Sequence, residues 1–331
     1  MLLRMLKNGV MLVILLCFCV STQAQKIGFL MDSYVDDRWQ KDTKHFTDHV
    51  DMLGGEVITK LAKGNHATQL AQAQELIDEG VKVFVIVAVD GKEASAIVDL
   101  AEENGIPTLA YDRMITNANL DMYLSYDNVK VGALQAQSAV DENASGKFIL
   151  INGPVSDHNA IKFREGQLSV LDPLVKKGKI TIKDDIVLDD WGEVNAFVSI
   201  LDVFDDMEDV SAILAANDGI AMAVASAVND VEVLKEVFLT GQDADLGALQ
   251  NIMKGYQNMT VYKPIAPMAK LAAEKAVALA NGKDTKDKVM EIAGIKVKSI
   301  LLDPIEVNSS NMKNTVLADG HVSADDFETG Q

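Results

Sequence analysis

The sequence predicts an α/β fold built from parallel sheets, and two observations carry that prediction: the alternation of apolar and amphipathic stretches, and the number of units in which this alternation repeats. Short apolar or β-branched runs alternate with amphipathic stretches of helical length from residue 26 to residue 280. Strands that alternate with helices of about 10–15 residues are typical of βαβ units. The chain holds too many units for one ordinary open sheet, so we expect two doubly wound lobes of the same kind, 26–128 and 129–263. Residues 264–331 would return to complete both lobes.

In the first lobe, the clearest strand is the VFVIVAV run at 83–89, which is apolar throughout. Such a run suits a parallel strand that is buried on both faces. In residues 68–78 the apolar side chains recur at helical spacing, and Gly80 follows as an end signal. The predicted strands are 26–31, 56–60, 83–89 and 107–111, and the predicted helices are 39–53, 68–78 and 94–103.

The same alternation starts again in the second lobe. The predicted strands are 148–151, 180–188, 212–215, 237–240 and 259–262. The predicted helices are 159–171, 194–204, 220–228, 246–254 and 265–280. We expect each strand to lead into the following helix at the same edge of its sheet.

The composition is that of a globular, acidic protein. The 331 residues include 49 Asp and Glu against 30 Lys and Arg, which gives a formal net charge of −19, and 48% of the residues are hydrophobic. Phosphate backbones and anionic lipid surfaces are bound by clustered Lys and Arg. The charge balance therefore argues against nucleic-acid and anionic-membrane partners.

Residues 1–24 read as a secretory signal peptide. Arg4 and Lys7 precede the apolar run at 10–20, and small residues precede a cleavage point after Ala24. A membrane anchor is the alternative, but a membrane-spanning helix takes roughly 20 apolar residues. Both cysteines, Cys17 and Cys19, lie within this segment. We therefore expect an exported, periplasmic mature chain with no disulfide and no cysteine nucleophile or ligand.

Polar and aromatic side chains repeatedly follow the predicted strands, where ligands of open α/β sheets are bound. In the first lobe these are Asp32, Arg38, Trp39, Asp90, Asp112 and Arg113. In the second lobe they are Asp157, Asn159, Trp191, Asn217, Asp218, Gln242, Asp243, Asp245 and Lys263. Carboxylates accept hydrogen bonds, cationic groups donate them and carboxamides do both, while indole faces cover apolar C–H surface. This mixture predicts a neutral polyhydroxylated ligand.

Several of these residues also have plainer explanations. An acidic residue after a strand commonly caps the next helix; this applies above all to Asp32, Asp90, Asp218 and Asp245. The two tryptophans are candidates for ordinary core residues, and the two arginines for surface ion pairs. No glycine-rich phosphate loop is present, and His45 and His49 lack the glutamate of a zinc-protease helix. We expect neither a metal nor a cofactor.

At these residues the sequence resembles the type I (ribose/galactose-like) substrate-binding proteins of ABC sugar importers, and within them the xylose-binding branch. The resemblance runs from about Lys26 to at least Ala318. The segments that carry it are KIGFLMDSYVDDRWQKD from residue 26, LAYDRMI at 109–115, GPVSDHNAIKFREGQ at 153–167, AAND at 215–218, GQDADL at 241–246 and TVYKPI at 260–265.

The resemblance implies a set of sugar contacts. Those from the first lobe would be Arg38, Asp112 and Arg113, and those from the second would be Asp157, Asn159, Trp191, Asn217, Asp243 and Lys263. Trp39 and Trp191 would sandwich the sugar ring. The resemblance also implies a three-segment hinge with crossings near 128, 263 and 301. The lobes would then be 25–128 plus 264–300, and 129–263 plus 301–331.

The function implied is a monomeric high-affinity receptor that binds a monosaccharide, D-xylose first, and delivers it to the permease subunits of an ABC importer. A sugar-sensing partner of a membrane sensor kinase or chemoreceptor is one alternative, and a receptor for another aldose is a second. A glycosidase would need one protonated carboxyl group, which the neighbouring Arg and Lys oppose. A transcription regulator of similar core fold would need a DNA-binding segment, and the predicted mature chain begins directly with a strand.

Overall fold

The computed structural model describes residues 24–34, 37–201, 209–228 and 231–328. The signal-peptide prediction falls on residues 1–24, so all of it except Ala24 lies outside the described residues. The last part of the predicted helix 194–204 lies outside them as well. Among the residues that the structure describes, no helix is both long and apolar enough to cross a membrane.

The first sheet has seven strands: β1 (Lys26–Met31), β2 (Glu56–Leu61), β3 (Val83–Ile86), β4 (Thr108–Tyr111), β5 (Met122–Tyr126), β11 (Val289–Ile292) and β12 (Ile295–Leu302). Their order in the sheet is β11-β12-β5-β4-β3-β1-β2. Neighbouring strands are parallel except for the antiparallel β11–β12 pair. The accompanying helices are α1 (Asp37–Met52), α2 (His66–Asp78), α3 (Ser95–Glu103) and α9 (Ile265–Ala280).

Both faces of this sheet are covered, as the continuous apolar strands predict. On one face, α1 and α9 enclose a core that includes Phe29, Phe46 and Met268. On the other face, α2 and α3 enclose a core that includes Leu76 and Phe84. Strand β3 is buried along its whole length. The sheet is therefore doubly wound.

The second sheet repeats this architecture on a smaller scale. Its strands are β6 (Gly146–Asn152), β7 (Ile180–Val187), β8 (Val210–Ala215), β9 (Phe238–Leu239), β10 (Met259–Tyr262) and β13 (Ile305–Asn308). Four of them are parallel and lie in the order β7-β6-β8-β9, and an antiparallel β10–β13 pair joins them through a bridge between Gln242 and Val261. The helices are α4 (Asn128–Glu142), α5 (His158–Val175), α6 (Glu193–Leu201), α7 (Asp218–Ala227), α8 (Leu246–Lys254) and α10 (Ala324–Glu328).

The chain passes between the two sheets three times. The passages lie between β5 and α4, between β10 and α9, and between β12 and β13. In both sheets the first strand of the lobe lies between the second and the third: the order is β2-β1-β3 in one sheet and β7-β6-β8 in the other. In such sheets the crevice beside the first strand, at the carboxyl ends, is the usual place for a ligand.

The predicted α/β class with parallel sheets is confirmed. The predicted strands and helices are present, with bounds that differ by a few residues. The sequence analysis assigned no element to β5 and α4, nor to the β11, β12 and β13 strands. These elements depend on pairing partners that lie far away in the chain, such as β12 alongside β5.

Candidate ligand-binding site

A cavity lies between the carboxyl ends of the two sheets, which is where ligands of open α/β sheets are commonly bound. Residues from both lobes line it: Arg38, Trp39, Asp112, Arg113, Asp157, Asn159, Phe163, Trp191, Asn217, Gln242, Asp243 and Lys263.

Arg38 reaches the cavity from the first turn of α1 and is only 4% exposed. Each nitrogen of its guanidinium has a carboxylate partner. Nε contacts Asp42 Oδ2 at 3.3 Å, Nη1 contacts Asp243 Oδ1 at 3.0 Å and Nη2 contacts Asp112 Oδ2 at 3.1 Å. Burial opposes the charge, but the three carboxylates outweigh it and raise the pKa of Arg38 well above its ordinary value. The guanidinium is therefore a fixed, permanently charged donor.

The fully buried Asp42 holds Arg38 from behind. It lies one helical turn after Arg38 in α1, and its other oxygen accepts a hydrogen bond from the Tyr111 hydroxyl. Desolvation raises the pKa of Asp42, although Arg38 and the tyrosine hydroxyl act against it. Sequence reasoning did not single out this pair, because Asp42 lies within α1 and Tyr111 within β4, and the prediction considered the residues that follow strands.

Asp112 follows β4 and adopts a φ of 62°, which is unusual for a residue other than glycine. Its carbonyl oxygen accepts hydrogen bonds from Ser125 Oγ at 2.8 Å and from the Tyr123 hydroxyl at 3.1 Å. Its Oδ1 accepts one from Asn159 Nδ2 at 2.9 Å, across the gap between the lobes.

The charge of Asp112 is strongly favoured in spite of its burial. Desolvation alone would raise its pKa, but Arg38, Lys263 and Arg113 together lower the pKa to about 2. Lys263 Nζ lies 3.6 Å from Asp112 Oδ2 and 3.5 Å from Asp243 Oδ1. Asp112 therefore stays an acceptor at every physiological pH.

Arg113 links the two lobes on the other side of the cavity. Its Nη1 donates to Asp32 Oδ2 at 2.7 Å and to the Ala88 carbonyl at 3.0 Å. Its Nε lies 3.2 Å from Asp157 Oδ2. Burial works against the charge, yet Asp157 and Asp32 raise the pKa of Arg113 above its ordinary value. Asp32 therefore serves as a partner of Arg113 at the edge of the site.

On the second lobe, Asp157 combines a structural role with a place in the cavity. It is the N-cap of α5, where its Oδ1 accepts from the Asn159 backbone N–H at 2.9 Å. Its Oδ2 accepts from Trp191 Nε1 at 3.1 Å and so fixes the indole ring. That ring lies directly on Gly153, where a Cβ atom would approach it to 2.2 Å. Phe163 meets the same ring edge-on, with 6.3 Å between the ring centroids.

Two loops complete the second-lobe side. Asn217 is the N-cap of α7, and its Oδ1 accepts from the Ile220 backbone N–H at 2.9 Å. The loop after β9 carries Gln242 and Asp243, and Asp243 has a φ of 103°. The explanation of strand-end acidic residues as helix caps is therefore right for Asp157, and Asn217 is a helix cap as well. Both residues also line the cavity.

The charges at the site favour a neutral ligand. Three cations line the cavity together with three carboxylates, and Asp42 and Asp32 add two more carboxylates directly behind the arginines. A phosphorylated or carboxylated ligand would add negative charge to this excess. A hydroxyl group, in contrast, can donate to a carboxylate and accept from a guanidinium at the same time.

The structure brings all ten predicted site residues to this one cavity. Their contact with a ligand, and the sandwich of a sugar ring between Trp39 and Trp191, stay predictions. Of the remaining strand-end residues, Asp90 caps a turn through the backbone N–H groups of Lys92 and Glu93, and Asp218 lies behind the Gln242–Asp243 loop. Within the described ranges, no group of three or more His, Cys, Asp and Glu side chains is arranged to hold a metal ion.

Two lining residues were missing from the predicted set. Phe163 lies in the middle of α5, one helical turn after Asn159 and on the same face. That spacing is the signal that would have identified it. Gln242 was noted at the end of its strand, next to Asp243, but was not included among the ligand contacts.

Comparison with known proteins gives a consistent result. The family model described as a periplasmic binding protein domain matches residues 27–284. The chain is 41% identical over 297 residues to the D-xylose-binding periplasmic protein of Escherichia coli (strain K12), covering 89% of this chain and 90% of that protein. It is 39% identical to the protein of the same name from Haemophilus influenzae, with the same coverage.

A solved structure has the same fold. It is a carbohydrate transporter solute-binding protein from Chloroflexus aurantiacus in complex with D-glucose. The TM-score is 0.83 at 28% identity, and the match covers 92% of this chain and 98% of that one.

Proposed function

Because the chain belongs to the periplasmic binding protein domain family, we propose that it is a periplasmic receptor for a neutral monosaccharide, with D-xylose as its ligand. The observation that carries this proposal is the convergence of ten strand-end residues on one small cavity between two lobes. The names of the relatives from Escherichia coli and Haemophilus influenzae support D-xylose.

The side chains of the site suit a pyranose. Asp112, Asp157 and Asp243 accept hydrogen bonds from sugar hydroxyls, while Arg38, Arg113 and Lys263 donate to them. The Trp39 and Trp191 rings cover the two apolar faces of the sugar ring. Since the cations keep the neighbouring carboxylates ionised, we propose binding without catalysis.

The lobes of the proposed receptor are 25–128 plus 264–300 and 129–263 plus 301–331. Sugar binds to one lobe, and hinge closure adds the contacts of the other. The ligand drives closure only through its higher affinity for the closed form. Contacts that bridge the lobes near the ligand, such as Arg38–Asp243 and Asn159–Asp112, support this mechanism.

In the cell, we propose that the signal peptide is cleaved near Ala24 and that the monomeric receptor delivers its sugar to the permease subunits of an ABC importer. A receptor for another aldose is the second candidate, and the D-glucose complex of the Chloroflexus aurantiacus protein favours it.

Isothermal titration of the mature chain tests both candidates. The panel is D-xylose, L-arabinose, D-ribose and D-glucose, with D-glucuronate as the charged control. We expect the tightest binding for D-xylose and none for D-glucuronate. Tighter binding of D-glucose would favour the second candidate, and a chain that binds none of these sugars would contradict the proposal.

A further inference from the structure

The loop that presents Gln242 and Asp243 to the cavity has an unfavourable backbone. Asp243 and Ala244 are consecutive residues with φ values of 103° and 58°. Residues other than glycine rarely adopt positive φ, and such conformations persist only where the surroundings impose them. The contacts that impose this loop conformation therefore also determine where Asp243 lies.

Asp218, the first residue of α7, holds the loop at two places. Its backbone N–H donates to the Gln242 carbonyl at 2.9 Å. Its side-chain Oδ2 accepts from the Asp245 backbone N–H at 2.9 Å. The Asp218 side chain is completely buried and does not line the cavity.

Thr260 connects the Asp218 side chain to the middle of the loop. Thr260 Oγ1 accepts from the Ala244 backbone N–H at 3.2 Å and donates to Asp218 Oδ2 at 3.0 Å. A hydroxyl group has only one proton, so the direction of this relay is fixed once Asp218 serves as the acceptor.

The other oxygen of Asp218 is equally constrained. Oδ1 accepts from Gln257 Nε2 at 3.0 Å. It also lies where the side chain of residue 241 would project, since a Cβ atom on Gly241 would come within 1.9 Å of it. The glycine in the GQDAD segment is thus the residue that leaves room for the carboxylate.

We propose that Asp218 is a positioning residue of the ligand site, which, with Thr260 as its relay, holds the 241–245 loop so that Asp243 faces the sugar and Arg38. This inference rests on the proposed function, because it takes Asp243 as a sugar contact. Asp218 itself touches no ligand. Its side chain acts through Oδ2, which accepts directly from the Asp245 backbone N–H and, through Thr260 Oγ1, supports the Ala244 backbone N–H.

Two pairs of substitutions, one at Asp218 and one at Thr260, test the proposal by titration with D-xylose. Asp218→Ala removes the Oδ2 acceptor of Asp245 N–H and of Thr260 Oγ1 but keeps the backbone bond to Gln242. We expect an affinity loss of about tenfold or more, the effect of losing buried hydrogen bonds. Asp218→Asn is the conservative partner. Its amide oxygen can replace Oδ2 as the acceptor from Asp245 N–H and Thr260 Oγ1. Its NH₂ group takes the place of Oδ1 beside Gln257 Nε2, so the Gln257 amide turns over to present Oε1 and gives up its bond to the Met259 carbonyl, outside the loop. We expect this variant to bind within about threefold of the unmutated protein.

The second pair is Thr260→Val and Thr260→Ser. It still tests the proposal if Asp218→Ala fails to fold. Valine keeps the shape and removes the relay, so affinity is expected to fall about tenfold. Serine keeps the hydroxyl group and should restore binding. Asp287→Asn is the matched control, because Asp287 is a largely buried carboxylate that pairs with Lys275 outside the cavity.

A further arm separates positioning from general stability. In an Asp243→Asn background, Asp218→Ala should cost clearly less affinity than in the unmutated protein, because the two residues act as a unit. Full additivity would overturn the proposal, as would unchanged binding by Asp218→Ala or Thr260→Val. A loss in Asp218→Asn as large as in Asp218→Ala would overturn it too. Absence of D-xylose binding by the unmutated protein would overturn the proposed function and this inference together.

Discussion

Asp112 and Asp243 reach the same guanidinium from opposite lobes, and the two are supported in different ways. Both have a positive φ, and both accept a hydrogen bond from Arg38. The backbone of Asp112 is held by two neutral hydroxyl groups, those of Ser125 and Tyr123. The loop of Asp243 is held by a buried carboxylate, that of Asp218.

This difference makes the two halves of the site respond differently to perturbation. Of the two side chains that hold the Asp112 backbone, only Tyr123 can ionise, and burial raises its pKa further away from neutrality. For Asp218, desolvation dominates, and with the charge of Asp243 it raises the pKa to about 7. The groups that hold the Asp112 backbone therefore do not titrate near neutrality, whereas the group that holds the Asp243 loop does.

The largest expected effect is the loss of Asp112. Asp112→Ala should weaken D-xylose binding by about 3–5 kcal/mol, because it removes a buried carboxylate from Arg38, Lys263 and Asn159 together. Asp243→Ala should cost less, since Asp243 is 13% exposed and contacts only Arg38 and Lys263 of these three. Titration calorimetry of both variants gives the order. Equal losses would mean that the two lobes hold the sugar equally.

The two tryptophans extend the comparison to stability. Trp39 is 4% exposed and belongs to the first-lobe core, so Trp39→Ala should lower the free energy of unfolding by about 3 kcal/mol. Trp191 is only partly buried, and Trp191→Ala should cost clearly less stability. Both variants should lose affinity. Urea unfolding measures the first quantity and titration the second.

Single Trp→Phe variants provide the control, because Trp39 and Trp191 are the only tryptophans in the chain. Each variant leaves one indole as the fluorophore. Both fluorophores should respond to D-xylose. A tryptophan that does not respond would contradict its place beside the sugar ring.

How much of this site the sequence could predict depends on where each residue lies relative to a strand end. Asp112 and Lys263 directly follow strands, and Asn217 comes two residues after one. Ligands of open α/β sheets are bound beyond the carboxyl ends of strands, and two such sheets that face each other share one crevice. Their meeting in one cavity could therefore be predicted without any knowledge of side-chain contacts. The hydrogen bonds by which Asp218 and Thr260 hold the loop could not be predicted, because these two residues lie 42 positions apart in the chain.

The missing elements have a similar explanation. The buried face of α4 includes Asn128, Gly132 and Gln135, so its apolar periodicity is weak. The Gln135 amide is used there to donate to the Gly241 carbonyl, next to the loop of Asp243. Strand β12 is only half-buried along most of its length and becomes part of the sheet by pairing with β5. Polar interiors and long-range pairing leave little trace in local sequence.

The pH dependence of stability sharpens the contrast between the lobes. The pKa of Asp218 is raised from 3.8 to about 7 on folding, so the unfolded chain loses this proton first. The contribution of Asp218 to stability is then fully present below pH 3.8 and is lost as the pH rises through about 7. Asp218→Asn removes the dependence, so its free energy of unfolding relative to the unmutated protein should rise by about 2 kcal/mol between pH 5 and pH 7.

Urea unfolding at pH 5, 6, 7 and 8 without sugar measures this difference. Asp112 serves as the internal comparison. Its pKa is lowered to about 2, so its contribution is present above 3.8 and is lost only as the pH falls through about 2. A constant difference between the two proteins from pH 5 to pH 7 would contradict the assignment of the titrating group to Asp218.

The smallest expected effects come from the hydroxyl groups behind Asp112. Ser125→Ala and Tyr123→Phe each remove one of the two hydrogen bonds to the Asp112 carbonyl, and each should weaken D-xylose binding by about 1 kcal/mol or less. The remaining hydroxyl keeps the carbonyl oriented. The double variant leaves a buried carbonyl without either donor, so its loss should exceed the sum of the single losses. A double loss that is merely additive would show that the hydroxyl groups act independently, and the first-lobe half would then lack the redundancy that separates it from the loop held by Asp218.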